Sequence, residues 1–152
     1  MQPHVSTAGI AALIERSARL LHAIGYAGGL NPAQWVALRY FSEAPPIIRT
    51  TADLARYQGM SLGSVSRTVR TLVEKNLLAR ADNPASRRAD LIALTSAGHA
   101  LLKNDPNKAV VAIVETMLTN QREALATALE LTMTQLFARH LVRGGSDAGD
   151  IE

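Results

Sequence analysis

Apolar residues recur every three or four positions near the N-terminus, with charged residues between them. The apolar set consists of Ile10, Leu13, Ile14, Leu20, Leu21 and Ile24. This period predicts an amphipathic α-helix over residues 10–24. A second helix is predicted from Asn31, a capping residue, and Pro32, which suits the first helical position. It ends near Glu43, because Pro45 and the proline after it cannot continue a helix.

Two short helices joined by a tight turn are predicted next, after an extended stretch at residues 47–48. Thr50 and Asp53 have the Ser/Thr-x-x-Asp/Glu spacing of a capping box, so they predict the start of the first helix. Gly59 ends this helix, and Ser61 caps the next one. The predicted buried stripe of that next helix consists of Val65, Val69, Leu72 and Val73.

A β-hairpin and further helices complete the pattern. Extended runs at residues 77–81 and 89–94 flank a polar turn, which predicts the hairpin. The pattern is helical again from Thr95, with an interruption around residues 104–106, and another helical segment starts near the cap Thr119. The predicted fold class is mainly α with a small β-hairpin wing, which is the element order of a winged helix-turn-helix.

The terminal helices carry more apolar surface than one small domain can bury. We therefore expect them to pair with a second copy of the chain in a symmetric homodimer. Four parts are predicted: residues 1–30 as the N-terminal helix of a dimerisation region, 31–95 as the winged helix-turn-helix, 96–145 as the C-terminal helices of the dimerisation region, and 146–152 as a flexible tail.

Composition and charge narrow the class of protein. The 152 residues are 47% hydrophobic and 19% charged, which excludes a disordered or fibrous chain. The formal net charge of +3 permits an anionic partner without requiring one. The absence of cysteine excludes disulfides and thiolate metal sites. We find no secretory signal and no apolar run long enough to span a bilayer, so we expect a soluble cytoplasmic protein without a membrane partner.

The central helix pair has the spacing of a helix-turn-helix. Ala55 lets two helices cross closely, Gly59 supplies the turn, and Val65 packs the second helix on the first. Such a unit presents the polar face of its second helix to a DNA major groove, where arginine reads guanine or binds phosphate and hydroxyl groups bind phosphate. The residues predicted to contact DNA are Ser61, Gly63, Ser64, Ser66, Arg67, Arg70, Thr71, Arg87 and Arg88.

Other interpretations of this surface are open. Arginines on a single helix are most simply interpreted as part of its solvent-exposed face. Here the helix-turn-helix spacing, the hairpin and the two arginines of its turn all favour DNA binding instead. One alternative is a winged-helix module that binds protein without sequence-specific DNA binding, which a test of salt-sensitive duplex binding would separate from a DNA regulator. A second alternative, a small ligand-binding enzyme, needs turnover or an acid/base site for which the sequence has no motif.

Three stretches of the sequence resemble the multiple antibiotic resistance regulator (MarR) family of winged-helix proteins: NPAQWVALRYF, TADLARYQGMSLGSVSRTVRTLVEKNLLAR and RRADLIALTSAG. The order of helices around them matches along nearly the whole chain. The resemblance implies an obligate homodimer with interlocked terminal helices, a recognition helix for the major groove and a wing for the adjacent minor groove. It also implies a small ligand, often an aromatic acid, that binds between the dimer and DNA-binding regions and weakens DNA affinity.

The resemblance also assigns individual positions. Arg88 matches the wing arginine of the family. The recognition-helix positions are matched by Ser64, Ser66, Arg67 and Arg70. Ser86 departs from the aspartate that is usual two residues before the wing arginine, and it offers only a neutral hydrogen bond in place of a charge pair. Leu62 stands where a polar residue is common, which leaves the sequence preference open.

Few residues suggest other chemistry. The histidines are too scattered for a metal motif, and there is no catalytic or phosphate-binding motif, so we predict no metal, no cofactor and no enzyme activity. The sequence also suggests a pocket for a small aromatic or anionic effector. Its candidate residues are Arg16, His22, Trp35 and Tyr40. Core packing of Trp35 and a solvated Arg16 are the simpler interpretation.

These patterns predict a DNA-binding transcription regulator. In the form that we expect, a homodimer represses by occupying a palindromic operator and is released by a small ligand. Two-fold symmetry would place the recognition helices about 34 Å apart, one turn of DNA.

Overall fold

The order of secondary-structure elements confirms the predicted fold class. The computed structural model describes residues 6–146, and the side chains of residues 6–140. Residues 147–152 of the predicted tail 146–152 lie outside the described residues. His4, one of the scattered histidines considered above, also lies outside them. The elements are α1 (Thr7–Ile24), α2 (Pro32–Glu43), a 3-10 turn (Pro46–Ile48), α3 (Thr51–Gln58), α4 (Leu62–Glu74), β1 (Leu78–Ala81), β2 (Leu91–Leu94), α5 (Ser96–Leu102), α6 (Asn107–Glu115) and α7 (Thr119–Ser146).

Side-chain caps start most of these helices where the sequence predicts them. Asn31 forms a capping box with Gln34 at the start of α2, and Thr50 forms one with Asp53 at the start of α3. The Ser61 hydroxyl oxygen accepts a hydrogen bond from the backbone of α4. Each cap satisfies an amide that has no partner within the helix, so these short-range signals are reliable guides to helix starts.

Three local predictions differ from the structure. Helix α1 begins at Thr7 rather than near residue 10, because the Ser6 hydroxyl caps it. Residues 47–48 belong to a 3-10 turn rather than an extended stretch, since proline at its start favours a helical φ. Thr119 is the first residue of α7 and not its cap. The Leu118 amide, one residue earlier, donates to the Gln121 side chain at 2.9 Å.

The chain divides into two compact units, Met1–Lys108 and Ala109–Glu152. The first unit contains a hydrophobic core built by α2, α3, α4 and the hairpin. Its largest fully buried side chains are Trp35, Phe41, Leu38, Leu54, Leu72, Leu78, Ile92 and Val69. Three of the four residues in the stripe predicted on α4 are buried, and the fourth, Val73, is partly buried. This core fixes which face of α4 is left for solvent.

The hairpin is attached to the core through both of its strands. β1 and β2 pair antiparallel with Leu78 opposite Leu94 and Arg80 opposite Ile92. The Ile92 amide donates to the Arg49 carbonyl at 2.7 Å, which connects β2 to the loop before α3. The strands are shorter than the predicted runs by one residue in β1 and two in β2.

The first and last helices leave most of their apolar side chains in solvent. No residue of α1 is buried. Exposed apolar residues of α1 and of the chain after residue 108 include Leu13, Leu20, Leu21, Val111, Ile113, Leu118, Leu131, Met133 and Leu136. None of the helices within the described residues is long and apolar enough to cross a membrane.

Candidate nucleic-acid interface

A tight turn holds α4 against α3. Gly59 adopts the left-handed conformation, with φ of 61°, which a residue with a side chain rarely adopts. The Met60 amide then donates to the Ala55 carbonyl at 3.1 Å. Ala55 and Val65 are both buried at the place where the two helices pack. These contacts confirm the mechanical roles predicted for Ala55, Gly59 and Val65, and they give α4 a defined direction.

The start of α3 is stabilised by a charged network. Thr50 donates its hydroxyl to the Asp53 carboxylate at 2.6 Å, and Arg56 forms an ion pair with the same carboxylate. Burial alone would raise the pKa of Asp53, but the hydrogen bonds from Thr50 and Arg56 outweigh it, so the net pKa is lowered. Asp53 is therefore ionised at neutral pH and adds a negative charge where the helix dipole favours one.

The polar residues predicted to contact DNA lie on the side of α4 that faces away from the core. Arg67 and Arg70 are exposed, as are Ser61 and Gly63 at the start of the helix. A Cβ added to Gly63 would meet nothing within 4 Å, so the backbone there is open to close approach by a partner. The half-buried members of the predicted set are Ser64, Ser66 and Thr71.

The turn between β1 and β2 presents the two remaining predicted residues, Arg87 and Arg88, both exposed. Ser86 forms a neutral hydrogen bond, as predicted, and its partner is a backbone group. The Ser86 hydroxyl oxygen accepts from the Arg88 amide at 3.2 Å. Asn83 orders the same turn by accepting from the Ala85 amide at 3.0 Å. Two local turns thus order this segment, and they leave the Arg88 guanidinium without an ion pair among the described side chains.

Some arginines of the first unit are neutralised by ion pairs among the described side chains, whereas those on α4 and the hairpin turn are not. Among the described side chains, ion pairs involve Arg19, Arg39, Arg56 and Arg80. Arg67, Arg70, Arg87 and Arg88 form no ion pair with any described side chain. Four exposed, unneutralised guanidinium groups on α4 and the hairpin turn suit a polyanion such as duplex DNA.

The structure distributes three of the four candidate effector residues over two neighbouring cavities. His22 and Trp35 line a cavity of about 400 Å³ between α1 and α2, here called the α1–α2 cavity. Tyr40 lines a different one of about 470 Å³ beside α3, the α2–α3 cavity, and Arg16 lines neither. Trp35 is also a core residue, because its side chain is fully buried, and its indole N–H donates to the Ala27 carbonyl at 3.1 Å.

Sequence reasoning missed Arg39, which lines both cavities. Its guanidinium contacts the buried Asp105 carboxylate at 2.7 Å, although 66 residues separate the two. No local pattern marks such a pair, so only the folded chain shows it. Burial raises the pKa of Tyr40, another polar residue that lines the α2–α3 cavity, and its hydroxyl donates to the Ile48 carbonyl. Within the described residues, no group of three potential ligands could hold a metal ion.

Comparisons with known proteins agree with this geometry. Residues 28–89 match the model of the MarR family. No curated protein matches the chain. A probable transcriptional regulator from Pseudomonas aeruginosa shares the fold with 23% identity and a TM-score of 0.65, and the match covers 81% of this chain and 96% of that one. A MarR mutant from E. coli, solved with operator DNA, has 21% identity, a TM-score of 0.62 and coverages of 81% and 89%.

A third similar structure concerns a regulator that responds to a small molecule. BpsR from Bordetella bronchiseptica has 21% identity and a TM-score of 0.63, and the match covers 82% of this chain and 98% of that one. The DNA binding of BpsR is regulated by 6-hydroxynicotinic acid, an aromatic acid.

Proposed function

This chain carries the winged helix-turn-helix of the MarR family, and from this premise we propose that it is a cytoplasmic transcription regulator that binds duplex DNA as a homodimer. The observation that carries the proposal is the set of four exposed arginines without ion-pair partners among the described side chains. Two of them lie on α4, where contacts with α3 fix the direction of the helix, and two lie on the hairpin turn. In this proposal α4 enters the major groove and the hairpin turn reaches the adjacent minor groove.

Binding to DNA is tested with two duplexes at two salt concentrations. One duplex carries the upstream region of the gene, and the other has the same bases in scrambled order. A dimer with four such arginines per protomer has at most eight phosphate contacts from them, so log K should fall with log salt with a slope no steeper than about −7 from this source. Selective, salt-dependent binding supports the proposal. A folded dimer that binds neither duplex selectively favours a module that binds protein.

We further propose that the operator is palindromic and that occupancy represses transcription. Two-fold symmetry of a homodimer places two copies of α4 on one face of the duplex, about 34 Å apart. Selection of bound duplexes from a random library should then return inverted half-sites with centres about one helical turn apart. A reporter gene downstream of the selected site should be silenced by the protein.

The homodimer is supported by the apolar side chains that α1 and the helices after residue 108 leave in solvent. Such apolar surface is unfavourable on a monomer, because the side chains are in contact with water. Contact with a second copy would release that water. A second copy with the same surface offers the complementary apolar area in an isologous contact.

Replacement of one of these residues by an acid should separate the protomers. Leu20→Glu places a charge on a side chain that is 68% exposed in the single chain but would be buried in the dimer, so the mass measured by light scattering should fall to that of a monomer. Ile47→Glu is the matched control, since Ile47 is even more exposed but lies outside the terminal helices. A Leu20→Glu protein that stays dimeric would exclude Leu20 from the interface.

An effector site is proposed in the α1–α2 cavity. Arg39 supplies a cationic group, His22 a ring nitrogen for hydrogen bonding, and Trp35 an aromatic wall. The Asp105 carboxylate holds one nitrogen of Arg39, and the remaining N–H groups are donors for a ligand carboxylate. BpsR, a protein of similar fold, is regulated by such an aromatic acid.

6-Hydroxynicotinic acid is therefore the first probe, and Trp35 is the reporter because it is the only tryptophan of the chain. We expect the ligand to change the fluorescence of Trp35 and to release DNA. His22→Ala, which alters the α1–α2 cavity alone, should weaken ligand binding by about tenfold or more if His22 binds the carboxylate. Tyr40→Phe, which alters only the α2–α3 cavity, should leave it unchanged. The reverse result would place the effector in the α2–α3 cavity.

A further inference from the structure

Leu62 is an unusual residue for the start of a helix that we propose to lie in DNA. It is the first residue of α4, and its side chain is 55% exposed. The residues just beyond it on the helix surface are polar, so no apolar surface of α4 continues from it toward solvent. An isolated exposed leucine is common in proteins, but here its position is fixed by the α3–α4 turn.

The helical period aligns Leu62 with proposed DNA contacts. Ser66 lies one turn after Leu62 on the same side of α4, and Arg70 lies one turn after Ser66. Gly63, the next residue along the chain, has no side chain and open space around it. A partner that contacts Arg70 and Ser66 along this row therefore meets the leucine at the N-terminal end of the helix, the end that reads base edges in helix-turn-helix complexes.

Base edges in the major groove offer one large apolar group, the C5-methyl of thymine. Most other groups there are hydrogen-bond donors or acceptors, and the C–H group at the same place on cytosine is smaller. A leucine that faced donors and acceptors would leave them without water and without a partner, which costs free energy. A leucine that faces a methyl group buries apolar surface on both sides.

We propose that Leu62 reads the C5-methyl group of a thymine in each half-site, so that it acts as a specificity residue of the operator. This proposal rests on the DNA binding proposed above and names one base that the protein prefers. The arginines bind guanine or phosphate, whereas Leu62 supplies discrimination that is independent of salt, because no charge takes part.

Deoxyuridine provides a direct test, since it pairs as thymine does but lacks the methyl group. The wild-type protein first selects its site from a random duplex library. Each thymine of the selected site is then replaced by deoxyuridine, one symmetric pair at a time. At one pair, affinity should fall by about fourfold per half-site and about fifteenfold for both, the loss expected for one buried methyl group in each. Leu62→Ala should bind the thymine and deoxyuridine duplexes equally at that pair.

Controls separate this inference from the proposed function. Met60→Ala removes a neighbouring exposed apolar side chain that lies on the turn before α4, and it should keep the preference for thymine. Circular dichroism and light scattering confirm that each variant is a folded dimer. If the library yields no site, DNA binding itself fails and the inference fails with it. If a site is selected but deoxyuridine is tolerated at every position, or Leu62→Ala keeps the preference, only the role of Leu62 is refuted.

Discussion

Arg67→Ala is expected to lower the affinity of the dimer for its selected operator by about thirtyfold or more, while binding to a scrambled duplex falls much less. A bidentate contact between arginine and guanine contributes about 1–3 kcal/mol of discrimination, and a homodimer loses two such contacts. Arg67 is exposed on α4 without an ion-pair partner among the described side chains, so its removal should leave the fold intact. Fluorescence anisotropy with both duplexes measures the two affinities.

Arg88→Ala should behave differently, because the hairpin turn is expected to contact phosphate. Affinity should fall for every duplex, and the slope of log K against log salt should become shallower by about two for the dimer, or one for each protomer. Lys103→Ala removes an exposed cation at the end of α5 and is the control for a simple loss of net charge. If both arginine variants bind DNA like the wild type while they remain folded dimers, the assignment of DNA contacts to α4 and the hairpin turn is wrong.

Gly98→Ala should destabilise the protein by about 3 kcal/mol or prevent its folding. A Cβ at this position would lie 2.2 Å from the Leu77 carbonyl oxygen, which is backbone and already accepts a hydrogen bond from the Thr95 amide. Relief of this overlap requires movement of α5 away from the start of β1, and forced overpacking of this kind costs about 1–3 kcal/mol or more. Urea unfolding followed by circular dichroism gives the change in the free energy of unfolding.

Gly63→Ala is the matched control for Gly98→Ala. Both glycines lie within helices, but a Cβ at Gly63 would meet nothing within 4 Å. Alanine is favoured over glycine in a helix by up to about 1 kcal/mol, so Gly63→Ala should be as stable as the wild type or more stable. Equal stability of the two variants would show that α5 and β1 separate without cost.

Gly63→Ala should also lower the affinity for DNA. We propose that the backbone of α4 approaches the duplex at this residue, and the added methyl group would obstruct that approach.

Helix starts and the buried face of α4 were predictable because their causes lie within a few residues. Asn31, Thr50 and Ser61 each cap a helix through the amide three positions ahead, so the pattern of residues contains both partners. Gly59 ends α3 for an equally local reason, its left-handed backbone. Where a local cap was overlooked, as with Ser6 before α1, the predicted boundary was displaced.

The effector residues were less predictable, since a cavity is formed by side chains from distant parts of the chain. The sequence suggested one set of four residues, whereas the structure divides His22 and Trp35 from Tyr40 and places Arg16 on neither cavity. The helical period indicates which residues share a face, but it does not indicate which face meets another helix. That depends on how α1 and α2 pack in the first unit.

The sequence by itself determined the type and order of the α-helices and strands, the turn between α3 and α4, and which face of α4 is buried. These follow from backbone preferences and the helical period, which act over at most two turns of helix. Only the tertiary structure decided that Arg39 meets Asp105 across 66 residues and that Gly98 lies against the Leu77 carbonyl. Such contacts form when the core excludes water and brings distant segments together, and their energies depend on distances that no local pattern specifies.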